Sequence, residues 1–113
     1  MATRYYLSLP DPQAARGSDG LGFTAHGPEE FAAQLQDALR TTQLFERWRG
    51  MQEDPDAVDE AMAATDPQAT VKGGQRDMGV ELVATTTLPG NILKHRLRLL
   101  AGNGWELRDV TAA

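Results

Sequence analysis

The stretch GVELVATTTLPGNILKHRLRLLAGNGWELRDV, residues 79–110, decides the fold, because it contains a strand, a helix and a second strand in order. In Gly79–Thr87, apolar and polar residues alternate, which predicts a half-buried strand. Leu88–Asn91 then predicts a turn, with Asn91 as a helix cap. A helix follows over about Ile92–Ala101, and a last strand over Trp105–Val110.

The N-terminal half of the chain predicts one more strand and a long helix. Thr3–Leu9 has the alternation and the aromatic residues of a strand. Residues 10–22 are rich in Gly, Pro, Asp and Ser and predict a mobile surface loop. Pro28–Arg49 predicts a single continuous helix that begins with a proline and stops at Gly50.

Together these elements predict an α+β fold, with a small, mostly antiparallel sheet of three or four strands and the helices on one face. The strand number depends on residues 69–72, which could form a short strand ending at Gly73-Gly74. With that strand the order becomes β-α-β-β-α-β, the ferredoxin-like plan, which is our best prediction. The sheet face expected to meet the helices carries Tyr5, Leu7, Leu82, Ala84, Trp105 and Leu107.

Length and composition indicate one globular domain over residues 1–113, since 41% of the residues are hydrophobic and 24% are charged. The chain has no cysteine, which excludes disulfides, thiolate metal sites and cysteine nucleophiles. No signal-peptide pattern and no membrane-spanning apolar run are evident, so we expect a soluble, cytoplasmic protein.

The net charge of −5 is unevenly distributed. Residues 53–66, which we call the acidic segment, contain six Asp or Glu residues and no Lys or Arg. The segment belongs to a predicted helix or loop insertion over about 51–78. A short helix is expected to begin at Asp54-Pro55, with Val58 and Met62 forming its apolar edge.

The closing residues Leu100-Ala-Gly-Asn-Gly-Trp105-Glu-Leu107 resemble a pattern in small bacterial domains of unknown function. In those domains an amphipathic helix breaks at glycine and the chain returns as a Gly-Trp-Glu-Leu strand. The resemblance covers about 15 residues, implies a helix followed by a strand, and implies no activity.

Leu44 and Trp48 do not fit the apolar stripe of the long helix and are candidate interface residues. They lie one turn apart on another side of the predicted helix. An exposed Leu–Trp pair would be adhesive, so we expect something to cover it. The nearest candidate is the segment just downstream, and the alternative is a partner protein or a second copy of this chain.

The C-terminal basic residues are the candidate anion contacts: Lys94, His95, Arg96, Arg98 and Arg108. On a helical wheel Arg96 falls inside the apolar arc, between Ile92 and Leu100, whereas His95 lies on the polar side and is expected to be solvated. A buried guanidinium needs a carboxylate partner or a path to the surface, and Asp109 and Glu81 are the candidate partners. The alternative is a ligand or partner contact.

Other chemistry finds little support. His26 and His95 are the only histidines, and no Gly-x-Ser-x-Gly, Walker or paired-histidine motif is present. The acidic segment lacks the glycine and glutamate of a calcium loop. The sequence therefore predicts no catalytic set, no metal and no cofactor.

We expect a small binding or protein-interaction module that could act as a homodimer. The first alternative is a domain or enzyme that binds a small anion through the basic C-terminal helix. Nucleic-acid binding is a weaker alternative, because the basic patch is small and aromatic residues make up only 6% of the chain.

Overall fold

A computed structural model describes the whole chain, Met1–Ala113. Its four strands and three α-helices occur in the order β1 (Thr3–Leu9), α1 (Pro28–Arg40), α2 (Gln43–Arg49), β2 (Thr70–Arg76), β3 (Gly79–Thr86), α3 (Gly90–Ala101) and β4 (Glu106–Ala112). The fold is α+β, as predicted. None of the helices combines the length and the apolar character needed to cross a membrane.

The four strands form one antiparallel sheet in the spatial order β2-β3-β1-β4. The short strand considered for residues 69–72 is present as β2. It spans Thr70–Arg76 and therefore continues through Gly73-Gly74 instead of ending at these glycines. β2 therefore occupies one edge of the sheet and β4 the other.

Gly73 is where β2 passes closest to the helix layer. A Cβ atom placed there would lie 2.2 Å from the Pro28 carbonyl oxygen at the start of α1, whereas one at Gly74 would meet nothing within 4 Å. The backbone of β2 can approach α1 this closely only because Gly73 has no side chain.

The predicted long helix is broken into two. Thr41 has an extended backbone, with φ −129° and ψ 168°, and both its N–H and its hydroxyl donate to the Asp37 carbonyl. A β-branched residue whose hydroxyl bonds back to the preceding turn favours a helix end over a helix interior. α2 therefore begins as a separate helix at Gln43. The helical-wheel positions assigned for one continuous helix do not apply to residues after Arg40.

The core lies between the sheet and the helices, in one buried cluster. Alternate residues of β1 and β3 face it: Tyr5, Leu7, Leu9, Val80, Leu82, Ala84 and Thr86. The predicted core positions on the last strand are less covered, since Leu107 is 38% exposed and Trp105 is only partly buried. β4 thus extends beyond the helix layer.

The segment of residues 10–22 packs against α3. The Gly17 N–H donates to the Leu100 carbonyl, and Ala15 and Leu21 are buried. The Arg16 guanidinium donates to two carbonyls, those of Phe23 and Ala25, both at 2.8 Å. These contacts attach the segment to the body of the protein at several points.

The acidic segment contains two single 3-10 turns, Pro55–Ala57 and Glu60–Ala63, instead of the predicted short helix. The Asp54 side chain makes no capping hydrogen bond, whereas the Asp59 carboxylate accepts one from the Ala61 N–H at 3.0 Å. Prolines and local aspartate bonds favour such isolated turns over a propagating helix.

Asp66 ends the acidic segment inside the protein, where it is 6% exposed. Its carboxylate accepts hydrogen bonds from the Thr86 hydroxyl at 2.8 Å, the Thr87 N–H at 2.9 Å and the Gln68 N–H at 3.0 Å. Burial alone raises the pKa of Asp66, but these hydrogen bonds outweigh it and leave the pKa below its ordinary value. Asp66 therefore ties the segment to the end of β3.

Candidate functional site

The five candidate anion contacts do not converge on one place. Arg108 lies on β4, donates to Glu106 at 3.2 Å and lines a cavity on the open sheet face with Ser8 and Glu81. The helices cover the opposite face, so α3 and its basic residues Lys94, His95, Arg96 and Arg98 lie on the other side of the sheet from Arg108. A single anion pocket built from all five side chains is therefore not formed.

Within α3 the four basic residues occupy different environments. Arg98 is exposed, Lys94 and His95 are partly buried, and Arg96 is completely buried at 0% exposure. The wheel correctly singled out Arg96 as the cation on the apolar side of the helix.

The prediction that Asp109 or Glu81 pairs with Arg96 is wrong. No Asp or Glu lies within ion-pair distance of Arg96, and the two candidates are engaged elsewhere: Glu81 with Arg76 at 2.8 Å, and Asp109 with the Val110 N–H at 2.9 Å. Arg96 Nη2 instead donates to the Ala64 carbonyl at 2.9 Å, and its guanidinium lies 5.4 Å from the Phe45 ring centroid. Burial lowers the pKa of Arg96 from its ordinary high value, and the group stays cationic at neutral pH.

His95 was expected to be a solvated surface residue, but it is partly buried. Its ring meets the Trp48 ring edge-on with centroids 4.5 Å apart, and it also approaches Phe45 at 6.4 Å. Burial, and then the positive charges of Arg96 and Arg98, lower the pKa of His95. The imidazole is therefore neutral at pH 7.

The predicted interface residues Leu44 and Trp48 are covered by other parts of the same chain. Leu44 is 7% exposed, and Trp48 is partly buried against the core. The His95 ring of α3 covers part of Trp48, and the Glu60–Ala63 turn of the acidic segment contacts α2. That this segment covers Leu44 and Trp48 stays a prediction. An interface role for Leu44 and Trp48 stays a prediction, with little of their surface left for a partner.

The sheet edge at β4 carries an apolar surface that sequence reasoning missed. Leu107 pairs with Leu7 and Val110 with Tyr5, so all four side chains share the helix-facing side of the sheet. Unlike Leu7 and Tyr5, Leu107 is 38% exposed and Val110 46% exposed. Both side chains therefore remain partly accessible at this edge of the sheet.

A β-bulge explains why Leu107 and Val110, three residues apart, lie on one face. The register of β4 shifts between Tyr6 and Leu7, because Tyr6 pairs with Asp109 and Leu7 with Leu107, which leaves Arg108 as the extra residue. Arg108 and Asp109 both line a cavity on the open face beside Tyr6. The sequence was interpreted as a regular alternation, which a bulge breaks without any glycine to signal it.

The His, Asp and Glu side chains form no group of three that could hold a metal ion. Comparisons with models of protein families, with curated proteins and with solved structures found no match for this chain. A function therefore has to be inferred from the geometry of the protein itself.

Proposed function

We propose that the protein is a small interaction module that pairs with a second copy of itself along the edge of β4. The observation that carries this proposal is the self-complementary surface of that strand. Its outer backbone groups face no neighbouring strand, and an edge of this kind is a template for another strand. The copy proposed here binds antiparallel, about a two-fold axis.

One register satisfies both faces of the paired strands. With the two-fold axis between Arg108 and Asp109, Leu107 of one copy stands opposite Val110 of the other on the helix-facing side. On the open side, Arg108 stands opposite the second copy's Asp109. The symmetry makes each of these pairs twice, so the exposed apolar residues are covered and opposite charges meet.

Neighbouring registers are less favourable. Moving the axis onto Asp109 places two aspartates opposite each other, and moving it onto Arg108 does the same with two arginines. Like charges directly opposite each other destabilise a strand pair. Charge alone therefore selects the register with the axis between the two residues.

The other edge strand, β2, is a poorer surface for self-pairing. Its charged residues are Lys72 and Arg76, and it contains no carboxylate to meet them. Two copies of β2 would bring together cations, with no apolar pair comparable to Leu107 and Val110. Of the two edges, β4 is the one with a complementary second copy.

The expected association is weak and reversible. Asp109 already accepts the Val110 N–H at 2.9 Å, and pairing requires this local bond to give way to bonds with the second copy. A junction of two short strands lies at the small end of specific interfaces, below roughly 1,200 Å². We therefore expect monomer and dimer to exchange with concentration.

Charge reversal tests the proposed register. Sedimentation velocity over a wide concentration range is expected to show a monomer–dimer equilibrium for the natural chain. Arg108→Asp places two carboxylates opposite each other at both symmetric positions and is expected to weaken dimerisation at least tenfold. The double variant Arg108→Asp with Asp109→Arg restores opposite charges and is expected to recover most of the affinity.

The matched control is Lys72→Glu, which makes the same change in net charge on the other edge strand, where Lys72 is exposed. It is expected to leave the dimer unchanged. A monomer at all concentrations, larger polymers that grow with concentration, or a dimer that Lys72→Glu weakens and Arg108→Asp does not, would each contradict the β4 interface.

We further propose that the architecture is ferredoxin-like. The proposal is supported by the element order, with one helix region after β1, a β2–β3 hairpin and a second helix before β4. It is also supported by the central position of β1 and β3 in the sheet. In this assignment the acidic segment and α2 are additions between the first helix and β2.

A further inference from the structure

Unpaired buried nitrogen atoms are concentrated in one part of the protein. Five buried side-chain polar atoms lack a hydrogen-bond partner, and four of them belong to three residues: Arg49 Nε, His95 Nδ1, Arg96 Nε and Arg96 Nη1. Buried polar groups are normally hydrogen-bonded, and each exception calls for an explanation. Here the four exceptions share one place: three are guanidinium nitrogens, which can only donate, and the fourth is an imidazole nitrogen.

The three side chains surround two aromatic rings. The guanidinium carbon of Arg49 lies 4.8 Å from the Phe45 centroid and that of Arg96 lies 5.4 Å from it. The His95 ring meets Trp48 at 4.5 Å and approaches Phe45 at 6.4 Å. Both guanidiniums and the imidazole therefore belong to one cluster at the junction of α2 and α3.

The charges in this cluster are only partly balanced. Arg49 pairs with Glu60 at 3.3 Å and Glu46 at 3.6 Å, whereas Arg96 is buried and has no carboxylate partner. A buried cation without a counter-charge is costly, because its desolvation is not offset. A negatively charged acceptor would offset this cost at Arg96.

The acidic segment lies over the cluster and is attached to it by a few contacts. The Ala64 carbonyl accepts from Arg96, the Glu60 carboxylate pairs with Arg49, and the Glu60–Ala63 turn contacts α2. Glu60 is 82% exposed, and the segment contains no regular element beyond its two 3-10 turns. Elements with little burial and few bonds open most easily.

We propose that this cluster binds one small oxyanion, a phosphate or a carboxylate group, at Arg96 between Arg49 and His95, when residues 53–64 of the acidic segment lift while Asp66 stays bonded to Thr86 and Thr87. The forked guanidinium of Arg96 is suited to two oxygen atoms of one such group. The Glu60 carboxylate already provides an oxyanion to Arg49 and competes with the ligand for it. This site is independent of the β4 edge and does not depend on self-pairing.

Inorganic phosphate and acetate, each compared with chloride at equal ionic strength, are the probes. At concentrations about ten times the dissociation constant, the bound anion is expected to raise Tm by roughly 5 °C over chloride. Trp48 fluorescence, measured in a Trp105→Phe background so that a single indole reports, is expected to change over the same concentrations. The stronger of the two anions identifies the ligand class.

Variants locate the site. Arg96→Met is expected to fold, because a buried charge exchanged for an apolar group of similar size is often neutral or stabilising, and to lose the response to the anion. Arg98→Met removes an exposed cation from the same helix and is expected to keep the response. Glu60→Gln removes the competing carboxylate and is expected to strengthen binding about two- to fivefold.

The proposal is overturned if neither phosphate nor acetate exceeds chloride in either readout. It is also overturned if Arg96→Met responds like the natural chain, or if Arg98→Met abolishes the response as fully as Arg96→Met. Because dimerisation is measured separately by sedimentation, failure of the anion site leaves the β4 interface open, and failure of the interface leaves the anion site open.

Discussion

The imidazole of His95 meets the indole of Trp48 edge-on, with 4.5 Å between the ring centroids. This contact joins α3 to α2. Burial, and then the positive charges of Arg96 and Arg98, disfavour the charged form of His95 and lower its pKa.

His95 is expected to make the protein less stable as the pH falls. The pKa of His95 is lowered in the folded state. Just below about pH 6.5, this histidine is therefore protonated in the unfolded chain while it is still neutral in the native protein. The unfolded state is then favoured, and stability declines until the pH reaches the lower native pKa. Urea unfolding at pH 7.5 and 5.5 measures this decline.

The control for the pH effect is the other histidine. His95→Gln is expected to reduce the loss of stability between pH 7.5 and 5.5, whereas His26→Gln, at an exposed position, is expected to leave it unchanged. The prediction is wrong if the pH profile of His95→Gln superimposes on that of the natural chain.

Asp66→Ala is expected to destabilise the fold by about 2–3 kcal/mol, because it leaves the Thr86 hydroxyl and the Thr87 N–H without their acceptor. Asp37→Ala, at an exposed position on α1, is the control and is expected to cost less than about 0.5 kcal/mol. Denaturant unfolding compares the two. Equal effects would show that the Asp66 network contributes little.

Asp66 also predicts a response to strong acid. Its pKa is lowered on folding, so its contribution to stability is complete above about pH 4 and is lost as the pH falls through the lower native value. Acid unfolding of Asp66→Asn is therefore expected to lack this part of the decline, and an unchanged acid transition would contradict the assignment.

Gly73→Ala is expected to destabilise the protein by about 1–3 kcal/mol, because the new Cβ would lie 2.2 Å from the Pro28 carbonyl oxygen and the backbone would have to move. Gly74→Ala, one residue along the same strand, meets nothing within 4 Å and is expected to be near neutral. Thermal unfolding of the two variants measures this difference in stability. Similar melting temperatures would contradict the close approach of β2 and α1.

Arg16→Lys is expected to loosen residues 10–22. The guanidinium bridges the carbonyls of Phe23 and Ala25, and an ammonium group cannot hold both with the same geometry. We expect faster amide exchange at Gly17 and Leu21, measured by NMR, with Arg98→Lys as the control. Unchanged exchange would show that other contacts hold the segment.

The sequence predicted β1 and β3 well, because their signals are local. The start of α3 and the last strand were less accurate: Asn91 lies inside α3, whose N-cap is Pro89, and β4 spans Glu106–Ala112 instead of Trp105–Val110. The Thr3–Leu9 strand is confirmed, and β3 ends within one residue of its predicted end. A period of two over seven or more residues identifies a strand without knowledge of its partner. Arg96 stood out for a similar reason, since a helical wheel needs only the sequence of its own helix.

What the sequence could not give depends on neighbours. α1 ends after Arg40 because the Thr41 backbone is extended, whereas the residue pattern beyond it mimics one continuous helix. The partner of Arg96 is a backbone carbonyl, which no charge pattern can indicate. The bulge at Arg108 exists only relative to β1, so its effect on β4 was invisible in the strand alone.

Gly73 beneath Pro28 has a consequence for the way the hairpin assembles. A two-residue slip of β2 along β3 would keep the same side chains toward the core, so polarity alone would permit it. Such a slip, however, brings Val71 or Gln75 under the Pro28 carbonyl, where no Cβ fits. The start of α1 therefore permits only one alignment of the β2–β3 hairpin. As a result, the docking of α1 and the alignment of β2 with β3 depend on each other.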